Sequence, residues 1–202
     1  MDKDVSTNLS INVDITVAMK CETLGSDVID IANQVVETEK FLATEQAFFD
    51  LTPSQMSWLK ARQDLLRDIN EYRSLNKLIM LQSLPMPDGA PKGSHPTACR
   101  LHGTLTVNKV AGNFHITIGK HISDPMQRMG HRHVAGYVPL ELYNLSHRID
   151  HLSFGSPVPG MVNPLDATLQ ITETRQYLYQ YYIQIVPTEY NTLSKHLSLI
   201  HI

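Results

Sequence analysis

Between Leu9 and Val17 every second residue is apolar. Leu9, Ile11, Val13, Ile15 and Val17 alternate with Ser10, Asn12, Asp14 and Thr16. A helix needs apolar residues every three or four positions, so this run must be a strand with one buried face. The pattern returns with Cys99, Leu101, Gly103, Leu105 and Val107 on one face and Arg100, His102, Thr104 and Thr106 on the other. Residues 108–113, with Gly112, predict a turn, after which Phe114, Ile116 and Ile118 point inward and His115 and Thr117 outward. This reads as a β-hairpin. Leu169 and Ile171 suggest a further strand. Tyr177 to Val186 (YLYQYYIQIV) carries aromatic and β-branched residues on both faces, as a central strand would.

One segment breaks this rhythm. Thr52-Pro53-Ser54-Gln55 is a capping box with proline at the first helical position. Met56, Leu59, Gln63, Leu66 and Ile69 follow at helical spacing, with Arg62, Arg67, Glu71 and Arg73 off that stripe. The spacing predicts a helix from Pro53 to about Leu81 that packs its stripe on the domain. Residues 26–40 read as helical or irregular. Residues 83–97 hold four prolines and two glycines and predict a flexible loop. The fold expected is mostly β: a single two-layer β-sandwich over 4–190, with 38–97 as a helical and flexible insertion (helix at about 53–81) and 191–202 as an atypical tail.

Composition narrows the function. At 202 residues and 42% hydrophobic content, one domain can bury an ordinary core. A formal charge of −3 argues against nucleic-acid binding, which needs a basic patch or stripe. No run approaches the ~18 apolar residues of a membrane span. The start, Met1-Asp2-Lys3-Asp4, is polar and unlike a secretory signal. Against this soluble reading stand two cysteines, Cys21 and Cys99, which are either one disulfide or two buried thiols. Asn8-Leu9-Ser10 and Asn144-Leu145-Ser146 also satisfy the glycosylation sequon.

Seven of the ten histidines fall between residues 99 and 155. If all ten were half protonated at a pH of about 6.5, they would add about five positive charges and reverse the sign of the net charge. His131-Arg132-His133 puts two imidazoles on one side of an extended chain, and His121, His147 or His151 could complete a zinc site. Zinc sites usually draw on cysteine or carboxylate as well, and no His-Glu-x-x-His motif is present. Arg148 and Asp150 share a face if 147–151 is extended, which predicts a structural ion pair. No glycine-rich phosphate loop, nucleophile elbow or metal-loop spacing accompanies the histidines, so an enzyme and a cofactor are not expected.

Four stretches carry a family resemblance: INVDITVAMKC at 11–21, ACRLHGTLTVNKVAGNFHITIGK at 98–120, YNLSHRIDHLSFG at 143–155 and NPLD at 163–166. Together they resemble the lumenal domain of the ER–Golgi intermediate compartment proteins, also called COPII-coated ER vesicle proteins. The likeness extends over about two thirds of the chain and is loose over 38–97. It implies a lumenal β-sandwich between two transmembrane helices that lie outside this chain. It implies a hetero-oligomer with a sister family member, contacts with COPII and COPI coats through cytosolic tails, and residence in ER, intermediate-compartment and cis-Golgi membranes. An oxidising lumen implies a Cys21–Cys99 disulfide and possible glycosylation at Asn144 and Asn8. Against the family pattern the sandwich is expected to be truncated at its C-terminus, with unpaired edges, and His196 to Ile202 to depart from it.

The function expected is that of a non-enzymatic cargo receptor that retrieves ER residents by binding protein cargo in acid and releasing it near neutrality. The pH-responsive candidates are His115, His121, His131, His133, His147 and His151. A lectin-like glycan-binding domain is the alternative, by fold analogy alone. A zinc-dependent hydrolase is the third.

Overall fold

A computed structural model describes residues 8–31, 35–72, 85–91, 95–121, 133–134, 138–156, 161–191 and 196–201. In chain order the elements are β1 (Asn8–Val17), β2 (Leu24–Asp30), β3 (Val35–Glu37), β4 (Leu42–Ala47), α1 (Pro53–Tyr72), β5 (Ala98–Asn108) and β6 (Gly112–Ile118). There follow β7 (Lys120–His121), β8 (His133–Val134), β9 (His147–Phe154), β10 (Thr168–Gln170), β11 (Val186–Asn191) and β12 (His196–His201). The protein is mostly β. An antiparallel five-stranded sheet has the order β10-β9-β1-β5-β4, and a three-stranded sheet has the order β3-β2-β6. Two further pairs are β7-β8 and β11-β12.

The core lies between the two sheets. Leu9, Ile11, Val13, Ile15 and Val17 of β1 join Leu101 and Leu105 of β5 and Ile149, Leu152 and Phe154 of β9. Leu24 and Val28 of β2 enter the same cluster, and Phe114, Ile116 and Ile118 of β6 pack against it. The alternation in β1 is thus realised as read: odd residues inward, even residues on the outer face. Cys21 and Cys99 form a disulfide beside this core.

Four expectations give way to different structure. The segments 99–107 and 114–118 are strands, but not a hairpin. β5 pairs with β1 and β4, whereas β6 pairs with β2, so the connection at 109–111 crosses from one sheet to the other. Residues 26–40 are chiefly strand: β2 and β3 occupy most of the described positions, because Ser26, Asp27 and Val28 pair on β6 and are buried, and helix is confined to a single 3-10 turn at Thr38–Lys40. Within 38–97, Leu42–Ala47 is a strand of the main sheet and not part of an insertion. It fits because Gly103 lies opposite Leu42 with φ +149°, where a Cβ would stand 2.5 Å from the Phe41 carbonyl oxygen. Residues 177–185 make no strand, and Leu178 and Tyr182 are 79% and 88% exposed.

The helix starts at Pro53 as predicted and is described to Tyr72; the expected continuation to Leu81 lies outside the described residues. The capping box is complete: Thr52 N–H donates to Gln55 Oε1 at 2.9 Å and Gln55 N–H to Thr52 Oγ1 at 3.3 Å. Leu59, Leu66 and Ile69 of the stripe are buried against Ala167, Leu169 and Val162, whereas Met56 is exposed. Residues 196–201 of the segment set apart as a tail form β12, paired with β11.

Candidate functional site

The outer face of the five-stranded sheet is polar, and α1 lies across part of it. Arg100 of β5 grips Asp14 of β1 through two bonds of 2.7 Å and reaches Glu45 of β4 at 2.5 Å. This forked pairing holds the Arg100 guanidinium firmly protonated. On β9, Arg148 meets Asp150 with bonds of 2.7 and 3.1 Å, and Asp150 also accepts from Thr16 Oγ1 at 3.3 Å. The ion pair read from residues 147–151 therefore exists, but Arg148 is buried.

A register shift opposite Asp14 and Ile15 makes Asp150 the extra residue of a β-bulge. Strict alternation would put Arg148 and His151 on opposite faces. The bulge instead brings His151 and Ser153 to the outer face with Arg148. His151 Nδ1 then sits 3.1 Å from Asp166 Oδ2, and Nε2 sits 2.9 Å from Ser153 Oγ. Asp166 is buried. Its Oδ1 accepts the Leu152 N–H at 3.0 Å, and its Oδ2 accepts from Asn163 Nδ2 at 3.3 Å. Arg62 of α1 approaches the same Oδ2 at 3.9 Å. The hydrogen bond from Asp166 raises the His151 pKa above its ordinary value, outweighing burial; Asp14 adds to this and Arg62 opposes it.

His147 behaves in the opposite way. It is buried at the start of β9, with Nδ1–H donating to the Leu145 carbonyl at 2.9 Å and Nε2 accepting from Tyr181 Oη–H at 2.7 Å. The Tyr179 ring meets it edge-on with centroids 4.7 Å apart. Burial lowers its pKa, partly offset by the Leu145 bond, so the fold holds it neutral.

Among the described residues the remaining candidates do not converge on this face. His115 lies on β6 in the other sheet, 3.9 Å from the buried Asp27. His121 and His133 are register partners on β7 and β8. His131 lies outside the described residues. Among the described residues no three His, Cys, Asp or Glu side chains gather as a metal site. Asn8 is exposed at the start of β1. Asn144 is half-buried and accepts the Ser146 N–H at 3.0 Å.

Between α1 and this face lies a crevice of about 750 Å³. Asp14, Thr16, Arg100, Arg148 and Asp150 line it from the sheet, Gln55, Trp58 and Arg62 from the helix. Sequence reasoning did not find it. The even-numbered polar positions of β1 and β5 were legible as an outer face, but not the helix that covers them.

A disulfide-braced antiparallel sandwich with a helix-covered polar face defines the class of protein. The family model described as endoplasmic reticulum vesicle transporter matches residues 89–201, and the chain belongs to that family. It is 48% identical over 198 residues to endoplasmic reticulum-Golgi intermediate compartment protein 2 of Mus musculus, with 95% of this chain and 52% of that protein covered. To ER-derived vesicles protein 41 of Schizosaccharomyces pombe it is 31% identical, over 93% of this chain and 50% of the relative. Among solved structures, a crystal structure of Erv41p superposes with a TM-score of 0.53 at 25% identity, covering 85% of this chain and 68% of that one. The chain spans about half the length of the curated relatives it matches. Among the described residues no helix is long and apolar enough to cross a membrane.

Proposed function

We propose that this chain is the lumenal part of a receptor that carries protein cargo in vesicles between the ER and the Golgi, holding it more tightly in acid than near neutrality. The observation that carries the reading is family membership, with relatives named for the ER–Golgi intermediate compartment and for ER-derived vesicles. The Cys21–Cys99 disulfide suits an oxidising lumen. The sister family member is the proposed partner in a hetero-oligomer. COPII and COPI coats would act through segments outside this chain. Asn8 and Asn144 are the proposed glycan acceptors.

Of the six histidines, His151 supports the pH dependence best. It is partly exposed, belongs to the polar face, and shares Asp166 with Arg62 of α1. A proton on His151 strengthens its claim on Asp166 Oδ2 and weakens that of Arg62, so acid changes how α1 is held. His147 is proposed as structural. His115, His121 and His133 remain candidates on other parts of the molecule, and His131, outside the described residues, remains a candidate as well. The test is capture of cargo by the full-length protein at pH about 6.5 and 7.2, a window around the imidazole pKa. Stronger capture at the lower pH, flattened by His151→Asn, supports the reading. Equal capture at both values removes the pH dependence, and no capture at either removes the receptor.

A further inference from the structure

Five carboxylates (Asp14, Glu45, Asp50, Asp88 and Asp150) line the crevice against three guanidinium groups (Arg62, Arg100 and Arg148). The lining is therefore net negative by two charges. Asp14 and Glu45 share Arg100, and Asp150 is paired with Arg148. Asp50 and Asp88 are exposed and, among the described residues, hold no cation, so they are the two carboxylates of the lining left free for a ligand. Their backbone positions are built. Asp50 lies two residues before the capping Thr52. Asp88 lies between Pro87 and Gly89, whose carbonyls accept from Gln55 Nε2 at 3.1 and 2.9 Å. Gln55 is buried and also closes the capping box, so one side chain ties the 87–89 loop to the start of α1. Phe48, Leu51, Trp58 and Met86 supply apolar wall between charged groups.

The crevice also contains donors without acceptors. Arg62 Nε and Arg148 Nη1 are buried and make no hydrogen bond, and Arg148 as a whole is 7% exposed. Buried guanidinium N–H groups are costly to leave unmet. A metal or ammonium ion would answer the two free carboxylates and leave these donors as they are. A simple anion would answer the donors but would face a net negative wall. A peptide answers both. A lysine or arginine side chain can lay its stem along the apolar wall and its charge beside Asp50 and Asp88. Its backbone carbonyls can accept from the guanidinium edges as α1 yields.

We propose that the crevice between α1 and the five-stranded sheet is the binding site for a basic, extended peptide segment of a protein ligand. The site rests on the receptor reading for its biological meaning and gives that reading a ligand chemistry. Its volume lies within the range of about 300–1,000 Å³ usual for ligand pockets.

The probe is an acetylated, amidated octapeptide of alternating lysine and alanine, titrated into the intact chain. Trp58 is the only tryptophan and its ring centroid is 5.4 Å from the Arg62 guanidinium, so its emission reports on the site. A saturable change with a sub-millimolar Kd is expected, weakened at least about tenfold in Asp50→Asn/Asp88→Asn. The matching glutamate peptide should give no saturable change. Both aspartates are exposed, so the double variant should melt with the parent; if it melts lower, the two single variants, each weakening the lysine peptide, serve in its place. Absence of saturable lysine-peptide binding, undiminished binding by the variants, or equal binding of the glutamate peptide overturns the site. The receptor reading fails separately. Cargo capture that persists in the double variant sinks the peptide site and leaves the receptor. Peptide binding without cargo capture leaves the site and sinks the receptor.

Discussion

Removing the Cys21–Cys99 disulfide should cost about a third or more of the stability of a domain of this kind. The two residues are 78 positions apart, and closing a loop of that length stabilises a fold by about 4.5 kcal/mol on the chain-entropy account. In the folded state the bond adds little, because Val17 and Cys99 already face each other in the β1–β5 pair. Its effect lies chiefly in the unfolded chain. Cys99 is fully buried, so alanine is the suitable replacement, and the lost sulfur adds about 1 kcal/mol of packing. Cys21→Ala/Cys99→Ala should therefore lose about 5 kcal/mol, against about 5–15 kcal/mol for a typical domain. With an m-value of about 2 kcal/mol/M, the urea midpoint followed by circular dichroism should fall by about 2.5 M. A fall below about 0.5 M would refute the reasoning, and would mean that the unfolded chain already keeps β1 and β5 together.

Three further outcomes are expected. Acidification should act on His147 and His151 with opposite sign. His147, whose pKa is lowered by burial, weakens the fold as pH drops below about 6.5, because the unfolded chain takes the proton more readily. His151, whose pKa is raised chiefly by Asp166, contributes stability that is complete below about 6.5 and is lost as pH rises through its folded pKa. His151→Asn should thus lower the melting temperature more at pH about 5.5 than at pH about 7.5, and His147→Asn should flatten the acid-side loss; the reverse order counts against the assignment. Tyr181→Phe removes the donor to His147 Nε2 and should cost about 1–3 kcal/mol in urea unfolding. Leu59→Ala, at a 1%-exposed position under α1, should cost about 2–5 kcal/mol and raise amide exchange in α1 before β1; uniform exchange in both would show that the helix does not unlatch separately.

Local pattern made β1, β5, β6 and the start of α1 legible, because each rests on neighbours in sequence: period two for the strands, the Thr52–Gln55 box for the helix. It also identified the face of each residue in β1, and through Arg148 and Asp150 it indicated an ion pair. The partner of each strand was not legible. Alternation in 99–107 and 114–118 is the same whether the two strands pair with each other or separate into different sheets. The YLYQYYIQI stretch at 177–185 has strong strand propensity, yet in the described structure it forms no strand and instead brings Tyr179 and Tyr181 onto His147.

By itself, the order of residues determined a mostly-β domain, the site where helix begins and the two cysteines available for a bridge. Only tertiary structure decided which sheet each strand joined, that a bulge at Asp150 turns His151 toward Asp166, and that α1 roofs a charged crevice. The reason is physical: propensity and periodicity act between neighbours a few residues apart, whereas Asp14 meets Arg100, and Arg62 meets Asp166, only after the chain has closed loops of 86 and 104 residues.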